Sequence, residues 1–178
     1  MAKPQSTLRA VPGKIRLEVV TPEGLALAEN VDEFTSPSVQ GEFGVLPGHL
    51  PLLAALRTGL ISYRKGNDSV ACAVGPGFVE VADDYAILLT DRFMAKDRID
   101  VVATRMRLKE IDEKLAKWER EPGGAEHQEM IADELWQAAL LELYGDPPSP
   151  TIRTFDDFEA SEREQAPPPA DDEASDKP

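Results

Sequence analysis

The periodicity of the chain changes once, at Asp97, and that change separates what can fold as sheet from what can fold as helix. From Lys14 to Asp91, apolar residues tend to recur at every second position. Ile15, Leu17 and Val19 alternate with Arg16 and Glu18, the pattern of a strand with one buried face. Thr21-Pro-Glu-Gly24 reads as a turn, and Leu25–Ala28, Val31–Thr35 and Gly59–Arg64 read as further strands. Lys65-Gly-Asn-Asp-Ser69 forms a hairpin loop into Val70–Val74, and Gly75-Pro-Gly77 breaks that strand. Phe78–Val81 starts another strand, which Asp83-Asp84 turns into Tyr85–Thr90, with Tyr85, Ile87 and Leu89 on one face. Short strands separated by regular turns predict an antiparallel β-sandwich.

After Asp97 the spacing is helical. No glycine or proline occurs between Asp97 and Glu121. Val101, Leu108 and Leu115, with Thr104, Ile111 and Trp118, make one apolar stripe. Pro122-Gly-Gly124 ends this helix, and a second runs from about Glu126 to Tyr144 with Ile131, Leu135, Ala138 and Ala139 on one side. Gly145-Asp-Pro-Pro148 stops it, so the pair is an αα-hairpin. Its seam holds few large residues and needs support from the β domain or a partner. The expected organisation is a flexible segment over 1–13, a β-sandwich over 14–93, a helical hairpin over 94–145 and a Pro-rich acidic tail over 146–178.

The tail carries much of the charge. Between Asp156 and Pro178, nine acidic residues face Arg163 and Lys177, a net −7 out of −14 for the chain. With so little apolar surface to bury, the tail is expected to be disordered. The overall acidity disfavours nucleic-acid binding. The N-terminal stretch has no apolar core of a secretory signal, and no apolar run reaches membrane-spanning length. The expectation is a soluble cytoplasmic protein that reaches a membrane only through a partner.

Catalytic constellations are missing from the pattern. His49 and His127 lie 78 positions apart, and the single cysteine, Cys72, sits in the apolar run Val70–Val74. That spacing fits neither a nucleophile–base pair nor a zinc site. No Gly-Lys-Ser/Thr phosphate loop occurs. Gly75-x-Gly77 begins a dinucleotide fingerprint, but Glu80 stands at the third glycine position and the segment lies between strands. Asp83-Asp84 and Asp156-Asp157 read as solvated turn and tail charges. No enzyme, cofactor or metal is expected, and a binding or regulatory module is.

Gly41-Glu-Phe-Gly-Val-Leu-Pro-Gly-His-Leu-Pro-Leu-Leu53 is both turn-rich and apolar. With "KIRLEVVTPEG", "GLISYRKG", "AVGPGFVEVADDYAILLTD" and the hairpin, it resembles the epsilon subunit of bacterial F-type ATP synthases, over about Ile15 to Tyr144. The resemblance implies a noncatalytic central-stalk subunit, peripheral on the cytoplasmic face of the bacterial plasma membrane. Its sandwich would clamp the gamma subunit and rest on the c-ring, coupling ion-driven rotation to ATP synthesis. Its hairpin would lie on the sandwich or extend toward the alpha/beta catalytic subunits to restrain ATP hydrolysis. It implies interface roles for Glu42, Phe43, Gly44, Val45, Pro47, Gly48 and His49, with Glu42 facing the c-ring and His49 the gamma and c-ring region. Leu50, Leu52 and Leu53 are expected to anchor the loop in the sandwich.

The sequence departs from the family in the helices. Ile99-Asp100 begins the ATP-binding motif of some members, but Ala103 and Thr104 replace its arginine and alanine, which removes the guanidinium suited to phosphate. The second helix has five acids and no lysine or arginine, where strongly inhibiting members are basic. Arg105, Arg107, Lys109, Lys114, Lys117 and Arg120 make the first helix the better inhibitory surface. The alternative reading is a stand-alone β-sandwich adaptor whose acidic tail recruits a basic partner.

Overall fold

The computed structural model describes residues 11–118 and 124–148. The expected flexible N-terminus and acidic tail therefore lie almost wholly outside the described residues, as does most of the break between the helices. Ten strands come first: β1 (Ile15–Thr21), β2 (Gly24–Val31), β3 (Glu33–Ser38), β4 (Gly41–Val45), β5 (Leu52–Leu56), β6 (Gly59–Lys65), β7 (Asp68–Val74), β8 (Gly77–Ala82), β9 (Tyr85–Thr90) and β10 (Phe93–Ala95). A 3-10 turn then leads into α1 (Val101–Ala116) and α2 (Ala125–Tyr144).

The strands follow the order β10-β7-β6-β3-β5-β8-β9-β1-β2, with β4 on the side of β3. A single residue pair, Ser38 with Leu56, joins β3 to β5. The path folds there into two layers. One core fills the space between them: Phe34, Val45, Ile61, Cys72 and Val74 from one layer meet Ile15, Leu17, Val19, Val79, Val81 and Leu88 from the other. The pairings are antiparallel as expected, except that β1 runs parallel to β9. The segment 41–45 and the run 52–56 are strands rather than parts of one long loop. Their glycines and prolines mask a short β signal, because Pro47 and Gly48 belong to the tight turn between them.

Two glycines set the corner between β7 and β8. A methyl group on Gly77 would stand 1.9 Å from the backbone oxygen of Leu89, while one on Gly75 would meet the Asp91 side chain. The buried Thr90 hydroxyl donates to the Gly75 carbonyl at 3.0 Å and closes the corner. Cys72 points inward, and burial pushes its thiol up to about 11.

The outward residues of β7 are small, Ala71 and Ala73, so α2 can approach closely. Trp136, Leu140 and Leu143 of α2 pack there beside Leu60, Met94 and Ile99. Arg92 locks this contact: its Nη1 donates to Asp133 at 2.6 Å and its guanidinium lies over the Trp136 ring. On α1, Thr104, Leu108, Ile111 and Leu115 are buried, matching the expected stripe. On α2 the buried face is wider than expected, because Trp136, Leu140 and Leu143 serve the sheet rather than the helical seam. Gly145 ends α2 in the left-handed conformation (φ 105), and Arg105 pairs with Asp146 to tie the ends of the hairpin together.

Gly77→Ala is expected to cost about 1–3 kcal/mol, since rigid backbone must move to admit the methyl. Gly75→Ala should cost less, since a side chain can rotate away. Denaturant midpoints of the two variants measure the difference.

Candidate docking surface

Alternation along five strands leaves one face of the second layer outside. The register aligns Ala55, Phe78, Leu89, Val20 and Leu25 in one row across β5, β8, β9, β1 and β2. Phe78 is 57% exposed and Leu89 49%. The neighbouring row is Leu53, Glu80, Ile87, Glu18 and Ala28. Tyr85, Ile87 and Leu89 do share a face, and it is this outer one; Ala86, Leu88 and Thr90 fill the interior. A continuous, partly exposed apolar row of this kind is a candidate surface for another molecule to cover.

The turn between β4 and β5 extends this surface. Leu46-Pro-Gly-His49 is a type II turn: Pro47 supplies φ near −65°, Gly48 has φ 79, and the His49 amide donates to the Leu46 carbonyl at 3.1 Å. Leu50 is 79% exposed and Leu53 72%, so neither anchors the loop in the core, contrary to expectation. Leu52 alone of the three packs inward: alternation in β5 sends Leu53 outward, and Leu50 stands ahead of the strand. His49 Nδ1 lies 2.7 Å from the Leu50 carbonyl, which can only accept, so that nitrogen carries the proton.

The expected interface residues divide into two groups. Pro47, Gly48 and His49 sit in the turn beside the Asp83-Asp84 corner. Exposed Glu42 lies near the opposite end of β5, in the β3–β4 hairpin next to Val39, whose amide donates to Ala55. Four residue steps along β4 separate Glu42 from Leu46, a reach of about 13 Å. Gly44 is exposed on β4, Phe43 packs partly on the core, and Val45 is 1% exposed. Val45 therefore supports the segment from within, and the expectation that it touches a neighbour is corrected.

Ile99 and Asp100 both have folding tasks. Ile99 joins the apolar contact beneath α2, and the Asp100 carboxylate caps α1 by accepting from the Ala103 amide at 3.0 Å. The described residues contain no cluster of three or more metal-ligating side chains, and no helix among them is long and apolar enough to cross a membrane.

Reasoning from the sequence missed a buried charge on the outer sheet face. Glu18 is 4% exposed and accepts from Arg16 Nε at 2.9 Å and from the Tyr85 hydroxyl at 2.7 Å. Arg16 also lies over the Tyr85 ring. The pairing of β1 with β9, which sets Arg16 opposite Tyr85, brings them together; no local signal could reveal it.

Residues 14–96 match the family model for the beta-sandwich domain of the ATP synthase delta/epsilon chain. The chain is 42% identical over 119 residues to ATP synthase epsilon chain 2 of Syntrophotalea carbinolica, covering 67% of this chain and 85% of that one. The chain belongs to the ATP synthase epsilon family. The epsilon chain of Magnetococcus marinus is 40% identical over 122 residues, covering 68% of this chain and 86% of that one. A chain of the cryo-EM structure of the Euglena gracilis mitochondrial ATP synthase, OSCP/F1/c-ring, shares the fold with a TM-score of 0.57 at 21% identity, over 82% of this chain and 88% of that one. Within the family, the expected sandwich and helices are therefore found in this chain.

Burial, followed by the hydrogen bond to Glu18, raises the Tyr85 phenol to about 12. An unfolded phenol ionises near 10, so this stabilisation is complete below about pH 10 and is lost as pH rises toward 12. Tyr85→Phe is expected to flatten the alkaline fall in stability over that window. Tyr63, whose phenol burial also raises, retains part of the slope. Denaturant midpoints between pH 9 and 12 test this.

Proposed function

We propose that the outer row of the second sheet layer and the Leu46–Leu50 turn dock this chain on the gamma subunit of an ATP synthase, while the Glu42 hairpin faces the c-ring. As a member of the epsilon family the chain is a noncatalytic subunit of the rotor stalk. That membership sets aside the stand-alone adaptor reading. The observation that carries the docking assignment is the row Ala55, Phe78, Leu89, Val20 and Leu25, which the fold leaves uncovered on a rigid sheet. A rotor subunit must transmit torque without deforming, and a sheet braced by one packed core suits that load. The relatives support partnership within the synthase complex, and the bacterial ones a place on the cytoplasmic face of the membrane, reached through the complex.

Phe78→Asp places a charge at the centre of the row without disturbing the core. It is expected to weaken binding of the full chain to a synthase depleted of its epsilon subunit by about 30-fold or more. Wild-type affinity in that variant removes the docking assignment.

The hairpin's regulatory role is the finer part of the proposal. Arg92, Asp133 and Trp136 hold it on the sandwich, and Lys114 of α1 and Lys117, which caps its end, are exposed. Truncation after Ala95 leaves β10 paired with β7. A rise in ATP hydrolysis by the assembled complex is the expected result, and unchanged hydrolysis retires this role.

A further inference from the structure

We propose that Asp84 is a positioning residue that holds the Leu46–Leu50 turn in its docking shape from the neighbouring β8–β9 turn. The inference rests on the docking assignment above and explains how its most exposed part is kept in place. Leu46, Pro47, Gly48 and Leu50 are all exposed, so core packing does not determine where they stand. The turn's own hydrogen bond, from His49 to Leu46, leaves the Gly48 amide pointing outward. The Asp84 carboxylate accepts from that amide at 2.6 Å, across 36 residues of sequence. An ionised acceptor makes such a bond shorter and stronger than a neutral one.

Asp84 is itself well anchored. Its carbonyl accepts from the Arg16 amide at 2.8 Å, which ties it to β1. It follows Asp83 through the tight turn with φ values of 52 and 57. Two such positions favour Asn-Gly in a hairpin, and an aspartate in the second is a poor choice for the turn alone. The carboxylate supplies what glycine cannot: an acceptor that reaches the next turn. One residue thus joins β1, the β8–β9 corner and the docking turn, so that Leu46 and Leu50 are held rigidly relative to Leu53 and Phe78. Ordering these groups in advance removes part of the entropy that docking would otherwise cost.

Full-length Asp84→Gly and Asp84→Asn separate this role from a role in folding. Glycine suits a φ of 57 and removes the acceptor; asparagine suits it nearly as well and retains a side-chain oxygen. Three quantities are compared: the denaturation midpoint, hydrogen exchange of the Gly48 amide, and affinity for a synthase depleted of its epsilon subunit. Asp84→Gly should keep or raise the midpoint, speed Gly48 exchange, and bind about tenfold more weakly. Asp84→Asn should stay within about threefold of the wild type in affinity. Wild-type affinity in Asp84→Gly, alongside the loss caused by Phe78→Asp, overturns the positioning role and leaves the docking surface standing. If Phe78→Asp also binds normally, the docking assignment itself fails. A lowered midpoint and equal loss of binding in both Asp84 variants would make Asp84 a residue of the fold and overturn the proposal.

Discussion

The second sheet layer exists because β1, the first strand of the chain, pairs in parallel with β9. Without that pairing β8 and β9 would end in an open edge, and β1 and β2 would be an isolated hairpin with an apolar face and nothing to bury it against. Everything on the outer face follows from the register it sets. It brings Val20 level with Leu89 to extend the apolar row, places Arg16 beside Tyr85, and aligns Ile87 with Glu18. Parallel neighbours need a long crossover, and here it runs from β2 to β8, passing through the other layer by way of β3, β4, β6 and β7. The surface assigned to docking and the core that stiffens it therefore depend on the same strand pairing.

The hairpin illustrates a different balance. Its two helices share a narrow seam, and α2 gains its stability from a second face laid on Ala71 and Ala73. Arg92 contributes at once an ion pair to Asp133 and a stacking contact to Trp136. Arg107 approaches the same carboxylate from α1. Few partly exposed residues thus hold a sizeable apolar contact, an arrangement that is sensitive to ionic strength and to single substitutions. The core of the sandwich has no such dependence.

Strand periodicity in the sequence predicted β1, β6, β7, β8 and β9, since each alternates clearly or ends at Gly, Pro or Asp. It failed at β4 and β5, where Gly41, Gly44, Pro47, Gly48 and Pro51 crowd out the alternation. The same failure assigned Leu50 and Leu53 to the interior, because an apolar residue near a turn reads as an anchor until the facing of its strand is known. The family motif drew attention to the segment as a whole. It could not divide Glu42 from the Pro47–His49 turn, a separation that arises only once β4 is laid out as a strand. Ile99 and Asp100 looked like remnants of a ligand motif, yet an apolar residue followed by Asp is also how a helix begins after a packed turn. Glu18 gave no sign of burial, since its partner Tyr85 is 67 residues away.

The interior position of Cys72 has a practical consequence. It is the chain's single cysteine, lies in the core shared by both layers, and its thiol is held almost wholly protonated at neutral pH. Reaction with an alkylating agent then requires the layers to part, whereas a departure of the hairpin from the outer face of β7 would leave Cys72 still covered by the opposite layer. The rate of thiol modification thus counts openings of the sandwich and ignores movements of the helices. The molecule contains its own means of distinguishing a rotor part that breaks from one that merely shifts.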